Sequence, residues 1–188
     1  MSHVGLILAA GAGRRFGDAT KQLAELRGRP LLEHALGAML AVDGLERVVV
    51  VLGHDAAAIR ARVDFHGAEV VIADDWDQGQ AASLKRGLGA ADGADAVVVT
   101  LGDQPFITPE VIAAALEQLE GHDAVRAIYD GKPGHPVVLG PAVLAAAGEL
   151  RGDQGARELL ARFNVRRWDA SHLADAVDVD TPEELRAL

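Results

Sequence analysis

The 188-residue sequence has no cysteine, which excludes disulfides, thiolate metal sites and a cysteine nucleophile. No apolar run approaches the roughly 18 residues that span a bilayer. The amino-terminal MSHVGLIL has neither the basic segment nor the cleavage site of a secretory signal. A cytoplasmic location is therefore expected. Aromatic residues are scarce, and positive charge is outnumbered: 18 Lys and Arg face 28 Asp and Glu, for a net charge of −10. That balance argues against a nucleic-acid partner, which needs a basic face. It leaves small anions open, because they need only a local cluster. Lysine is scarcest of all, with Lys21, Lys85 and Lys132 against 15 arginines. Where surface charge alone is wanted the chain uses arginine, so each lysine is a candidate for a place that needs a compact point charge.

What is present is an alternation. Short β-branched runs at Val4–Ala10, Val48–Leu52, Val70–Ala73 and Ala96–Leu101 read as buried strands. Helical patterns at Leu31–Leu40, Ala56–Val63, Ala81–Leu88 and Pro109–Leu119 separate or follow them, the last behind Thr108 as N-cap. The second half adds strands at Ala124–Ile128 and Pro136–Leu139 around a Gly/Pro-rich turn from Tyr129 to Gly134. Helices are expected at Pro141–Leu150 and Gly155–Phe163, strands near Val165–Trp168 and Ala176–Val179, and a last helix from Thr181. The order predicts one α/β domain over residues 1–188: three α/β/α layers around a mostly parallel, Rossmann-like sheet. Ligands of such sheets bind at the carboxyl ends of the strands, which directs attention to Gly11–Gly17, Gly53-His54, Asp74-Asp75 and Gly102–Pro105.

The first of these loops, LILAAGAGRRFG, fails the common templates. A dinucleotide fingerprint wants a third glycine where Phe16 stands and a helix at once, yet nineteen residues, Gly11 to Arg29, precede the Pro30 helix. No GKS, GKT, GxSxG or HExxH occurs, so P-loop, serine-hydrolase and histidine–zinc chemistries lack their residues. What remains is a long flexible loop of backbone N–H groups with Arg14, Arg15 and Lys21, three cations within eight residues of an acidic chain. Glycines admit phosphate oxygens to the backbone and the cations neutralise them, which suits a polyphosphate. The plainer alternative is a solvated loop.

Seven motifs in order resemble the MobA-like nucleotidyltransferases, and among them the molybdenum cofactor cytidylyltransferases most. Leu8-Ala-Ala-Gly-Ala-Gly-Arg-Arg-Phe-Gly17 resembles the LAAGxGxRxG loop, with Lys21-Gln22-Leu23 behind it. Gly79–Leu88 is similar to GMSSSLRxGL, Gly102–Pro105 to GDMP or GDQP, and Gly134–Val137 to GHPV or GNPV. Gly152–Arg157 is similar to GDxGAR, and Asp178–Glu183 to DIDTPE. The chain departs at Ala73–Trp76, where relatives often carry NPDW, and at Gln80 and Ala82, which replace Met and Ser.

The resemblance implies a sheet of the nucleotide-diphospho-sugar transferase (GT-A-like) type. It implies attack of an acceptor phosphate on the α-phosphorus of a nucleoside triphosphate with release of pyrophosphate, a reaction of positioning and charge stabilisation. Mg²⁺ is the implied cofactor, held by Asp103 and by Asp180 in preference to Asp178, one of the latter two capping the last helix. Lys21 and Arg15 are implied catalytic groups, with Lys21 on the α-phosphate and Arg14 on the remaining phosphates or in solvent. Leu8, Ala9, Ala10, Gly11, Gly13, Gly79, Ser83 and Gly102 would line the nucleotide. Asp75 would read base or ribose unless it is a solvated turn, and His135 would touch the acceptor unless it is structural. Gly152–Arg157 would hold the acceptor's phosphate, and Trp76 and Trp168 would pack. Alanine at position 10 implies CTP, because GTP-using relatives tend to carry LAGG. The implied partners are CTP, a molybdopterin-type acceptor and a molybdoenzyme maturation chaperone, with no nucleic acid and no membrane. Transfer of another nucleotide or to another phosphorylated acceptor stays open, as does an NAD(P)H-dependent oxidoreductase of the nicotine blue oxidoreductase type.

Overall fold

The computed structural model describes residues 1–17, 19–149, 156–175 and 177–188. Its elements run β1 (His3–Ala9), β2 (Glu25–Leu26), β3 (Arg29–Pro30), α1 (Leu31–Leu40), β4 (Leu45–Leu52), α2 (Ala56–Arg62), β5 (Glu69–Ile72), α3 (Gln80–Ala90), β6 (Ala96–Leu101), α4 (Pro109–Glu117), β7 (Ala124–Tyr129), β8 (Lys132–Leu139), α5 (Pro141–Ala146), α6 (Ala156–Leu160), β9 (Val165–Asp169) and α7 (Pro182–Arg186). Seven strands form one sheet in the order β5-β4-β1-β6-β8-β7-β9. All neighbours are parallel except β8, which runs antiparallel to both β6 and β7.

Alternation within the strands supplies both faces with apolar side chains. Ile7 and Val50 point to a core shared with Leu36 and Met39 of α1 and Ile112 of α4. Leu6, Val49 and Val51 point to the opposite core, with Leu84 and Leu88 of α3, Val143 of α5 and Leu159 of α6. The three layers are those expected.

Three local expectations are corrected. The β7–β8 turn is not the six residues from Tyr129 to Gly134 but Asp130-Gly131 alone, both at positive φ (49° and 79°), the Asp-Gly signature of a tight hairpin. β8 therefore starts at Lys132 and includes Pro133 and Pro136, which lie before its pairing with β6 begins at Val137, where a missing N–H breaks no ladder. Residues 177–180 form no strand: Val179 is fully buried but gives only one hydrogen bond, to the Asp103 carbonyl at 3.1 Å. The expected helix over Pro141–Leu150 stops at Ala146 and continues as a 3₁₀ turn through Glu149. Leu150, Gly155 and Ala176 lie outside the described residues.

The long loop after β1 is folded rather than open. Turns of 3₁₀ helix cover Arg14–Phe16 and Lys21–Leu23, and β2 pairs with β3 as a small ribbon. Phe16 anchors it in a satellite core with Leu26, Leu31 and Val179. An element with its own apolar anchor holds the cations in place, which an unstructured loop would not.

Helix α3 shows how tightly the layers close. A Cβ at Gly87 would lie 2.5 Å from Leu6 Cδ1 and 2.8 Å from Val51 Cγ2, both on fully buried side chains, whereas one at Gly89 meets nothing within 4 Å. Two identical substitutions in one helix are thus expected to act oppositely in chemical denaturation. Gly89→Ala should stabilise by about 0.5–1 kcal/mol through helix propensity, and Gly87→Ala should destabilise by about 1–3 kcal/mol of overpacking. Equal effects would disprove the close approach.

Candidate active site

Loops following β1 and β6 and the start of α3 enclose a cleft of about 670 Å³ at the carboxyl end of the parallel strands. The walls hold most residues the sequence pointed to: Leu8, Ala9, Ala10, Gly11, Gly13, Arg14, Arg15 and Lys21 from β1 and its loop, Gly79 and Ser83 around the start of α3, Gly102 and Asp103 after β6, His135 of β8, and Asp180. Two do not arrive, Asp75 and Arg157. Asp75 is absent from the walls and sits 3.4 Å from Arg86 Nε, so it is an ion-pair partner on the flank of α3, while its neighbours Trp76 and Asp77 line the cleft.

At one wall Lys21 is 6% exposed. Its Nζ donates to Asp103 Oδ2 at 2.6 Å and to Asp180 Oδ1 at 2.8 Å. Arg15 closes on the other Asp180 oxygen at 2.7 Å, from a largely exposed position. Burial works against the ammonium charge, but the charges and hydrogen bonds of Asp103 and Asp180 outweigh it and leave the Lys21 pKa raised. The Lys21 hydrogen bond, then the Lys21 and Arg15 charges, hold the Asp180 pKa below the usual carboxylate value against its desolvation. Both shifts favour the charged forms, so Lys21 stands as an ammonium and Asp180 as a carboxylate at neutral pH.

The loop glycines have separate reasons. Gly13 takes a left-handed conformation (φ 57°), and a Cβ there would lie 2.8 Å from Lys21 Cβ, so this glycine lets the lysine stem cross the loop. A Cβ at Gly11 meets nothing within 4 Å, which leaves its backbone open on the cleft side. Gln22, which the sequence reading passed over, ties the loop to its strand by donating to the Ala9 and Gly11 carbonyls at 3.1 and 3.2 Å. Its signal was its place beside Lys21.

The two carboxylates at the other end of the chain separate cleanly. Asp180 faces Lys21, whereas Asp178 accepts from Gln104 Nε2 at 2.6 Å. Burial, opposed by that hydrogen bond but aided by the charges of Asp103 and Asp180, raises the Asp178 pKa. Neither caps α7. Thr181 is the cap, with Glu184 completing a capping box, because a hydroxyl followed by Pro182 at the first helical position fits better than either carboxylate.

Asp103 Oδ1 is buried and has no hydrogen-bond partner among the described residues. The Asp103 and Asp180 carboxylates, both bound to the Lys21 ammonium, are hard oxygen donors at one wall of the cleft, and an orphaned carboxylate oxygen is what a divalent ion would complete. Among the described residues no cluster of three or more His, Asp or Glu could hold a metal. A metal here is therefore one held by two carboxylates, with a ligand's oxygens supplying the rest, the pattern Mg²⁺ favours.

Ser83 is buried on the first turn of α3. His135 lines the cleft, with its ring pKa driven down to about 4 by burial and by the Arg126 charge, so the imidazole is neutral at physiological pH. Trp76 is more than packing: it lines the cleft and meets the His54 ring edge-to-face at 5.1 Å. Trp168 packs on the α1/α4 core, as expected. Residues 152–155 of the GDxGAR segment lie outside the described residues, and Arg157 is exposed on α6.

The chain is similar to known proteins. The family described as the MobA-like NTP transferase domain matches residues 5–170. Over 194 residues the chain is 34% identical to nicotine blue oxidoreductase from Paenarthrobacter nicotinovorans, covering 98% of this chain and 95% of that protein. It is 38% identical over 134 residues to 2-C-methyl-D-erythritol 4-phosphate cytidylyltransferase from Ralstonia nicotianae, covering 65% of this chain and 53% of that one. Rv0371c from Mycobacterium tuberculosis superposes with a TM-score of 0.88 at 30% identity over 99% of this chain and 96% of that chain. Its manganese complex gives 0.84 at 28% identity over 100% and 98%. With a match running from β1 through the end of β9, the chain belongs to the MobA-like NTP transferase family.

Proposed function

We propose that the protein transfers CMP from CTP to the phosphate of a molybdopterin-type acceptor and releases pyrophosphate. The observation that carries the reading is the Lys21 ammonium, buried at a cleft wall between Asp103 and Asp180 and crossed over by the glycine loop. In this reading Gly11, Gly13 and the Arg14–Arg15 turn receive the triphosphate. Lys21 turns from its carboxylates to the α-phosphate, where charge grows in the transition state. Asp103 and Asp180 would hold a divalent ion, Mg²⁺ in this reading, and it would supply charge neutralisation at the phosphoryl oxygens; one structure of Rv0371c is a complex with manganese. Ala10 lines the cleft at 4% exposure, and its methyl takes space that glycine leaves open, which favours the smaller pyrimidine. The cytidylyltransferase relative and the LAAG sequence support the same base. The acceptor follows from the resemblance in the ordered motifs, and a maturation chaperone that receives the product is the partner such a step needs.

The relative that aligns along nearly the whole chain is named an oxidoreductase, which supports a second reading: a reduced nicotinamide nucleotide in the same cleft. One panel separates the two. Purified protein is given CTP, GTP or ATP with Mg²⁺ or Mn²⁺ and molybdopterin, and separately NADPH or NADH. Pyrophosphate release greatest with CTP is expected. Tight NADPH binding without pyrophosphate from any triphosphate would replace the first reading by the second.

Lys21→Ala should lower kcat by about 10²–10³-fold, the usual loss for one preorganised charge donor. Lys21→Arg should not restore it, because a planar fork cannot sit where a compact ammonium sits. Asp103→Asn should weaken Mn²⁺ binding, read by electron paramagnetic resonance in the presence of CTP. Unchanged metal affinity would remove Asp103 from the metal site.

A further inference from the structure

Away from the Lys21 loop, the sheet carries a second concentration of positive charge that no carboxylate among the described residues answers. Arg126 stands on β7, in register with Arg167 of β9 on one side and with Val137 of β8 on the other. Register partners share a sheet face. Arg126, Arg167 and Val137 therefore lie on one face, and Val137 lines the cleft together with His135, which sits in the irregular stretch of β8 before it. Val99 of β6, paired with Val137, lines it as well, which puts Arg126 two strand spacings, about 10 Å, from the cleft's centre wall. Helix α6 covers this same face, since Leu159 and Leu160 pack in the core that contains Val137, and it brings Arg157.

The side chains of Arg126, Arg157 and Arg167 make no ion pair or hydrogen bond with any described residue. Arg126 is half-buried, and its Nε is fully enclosed without an acceptor. Desolvation, then the charges of Arg157 and Arg167, push its pKa down, though a guanidinium remains protonated. The neighbouring His135 ring is neutral, so it adds no further charge to the cluster while keeping a donor and an acceptor. A chain with 28 acidic residues has ample carboxylates to pair three arginines. Leaving them unpaired on the cleft's face costs repulsion and desolvation that a multivalent anion would relieve.

We propose that Arg126, Arg157 and Arg167 form a second anion subsite on the same sheet face, outside the cleft's own lining and next to its Val137 wall, which takes the phosphomonoester dianion of the acceptor through guanidinium forks. Naming the ligand as an acceptor rests on the nucleotidyl-transfer reading. The anion site itself does not.

Calorimetric titration of ethyl phosphate and of inorganic phosphate into the wild-type protein, Arg126→Met, Arg167→Gln and Lys21→Ala tests it. Arg126→Met and Arg167→Gln should each weaken ethyl phosphate by about tenfold, the loss of one charge-assisted hydrogen bond, whereas Lys21→Ala should weaken CTP instead. In phosphate-free buffer Arg126→Met, which keeps the apolar stem and removes the orphaned Nε, should raise Tm by about 2–4 °C. A merely structural arginine would lower it. The proposal is overturned if the wild type binds no phosphomonoester, if inorganic phosphate binds but ethyl phosphate does not, or if affinity follows Lys21 and ignores both arginines. Arg167 is exposed, so its variant keeps the test open should Arg126→Met fail to fold. If CTP does not bind the wild type, the transfer reading fails while the phosphate result stands by itself.

Discussion

One ammonium joins three distant parts of the chain. Lys21 lies 82 residues from Asp103 and 159 from Asp180, yet its nitrogen is within hydrogen-bond distance of both. Removing it would leave two carboxylates facing each other, one with an oxygen already unpartnered. Burying a cation this deeply is favourable only because both carboxylates are in place. They are in place because β1 and β6 are neighbours in the sheet and because Val179 is pinned under the Asp103 carbonyl. The geometry of the cleft and the order of the strands are thus one constraint seen twice.

Much of this was legible in the sequence. The β-branched runs marked strands β1, β4, β5 and β6, since buried parallel strands leave little else to read. A Thr-Pro pair marked the start of each of α4 and α7, where local chemistry decides. Lys21, Arg15, Asp103 and Asp180 were singled out as residues, but their mutual contacts were not, because an ion pair spanning 159 positions has no local signature. Asp75 looked like a ligand since it follows a strand. What moved it was Arg86, about three helical turns away in sequence and invisible to a motif. The strand expected at Ala176–Val179 failed for the opposite reason: alternating apolar residues are there, but no partner strand is.

The glycines divide into those that leave space open and those that make way for the protein's own side chains. Gly11 leaves open space, whereas Gly13 makes way for the Lys21 stem and Gly87 for Leu6 and Val51. A motif read only as a phosphate cradle assigns all of them to the ligand. In this loop at least one glycine is needed by the lysine, so the loop and its cation are a single packed unit.

Asp180 lies eleven residues beyond the end of β9, the last strand of the sheet. During synthesis the whole sheet emerges before the carboxylate that completes the Lys21 group. A chain elongated only through Asp169 has every strand of the sheet, but it lacks Ala170 of one core and Val179 of the satellite core, and its lysine has half its partners. The sheet is thus complete before the Lys21 group, which the residues that follow bring together while they close the cores.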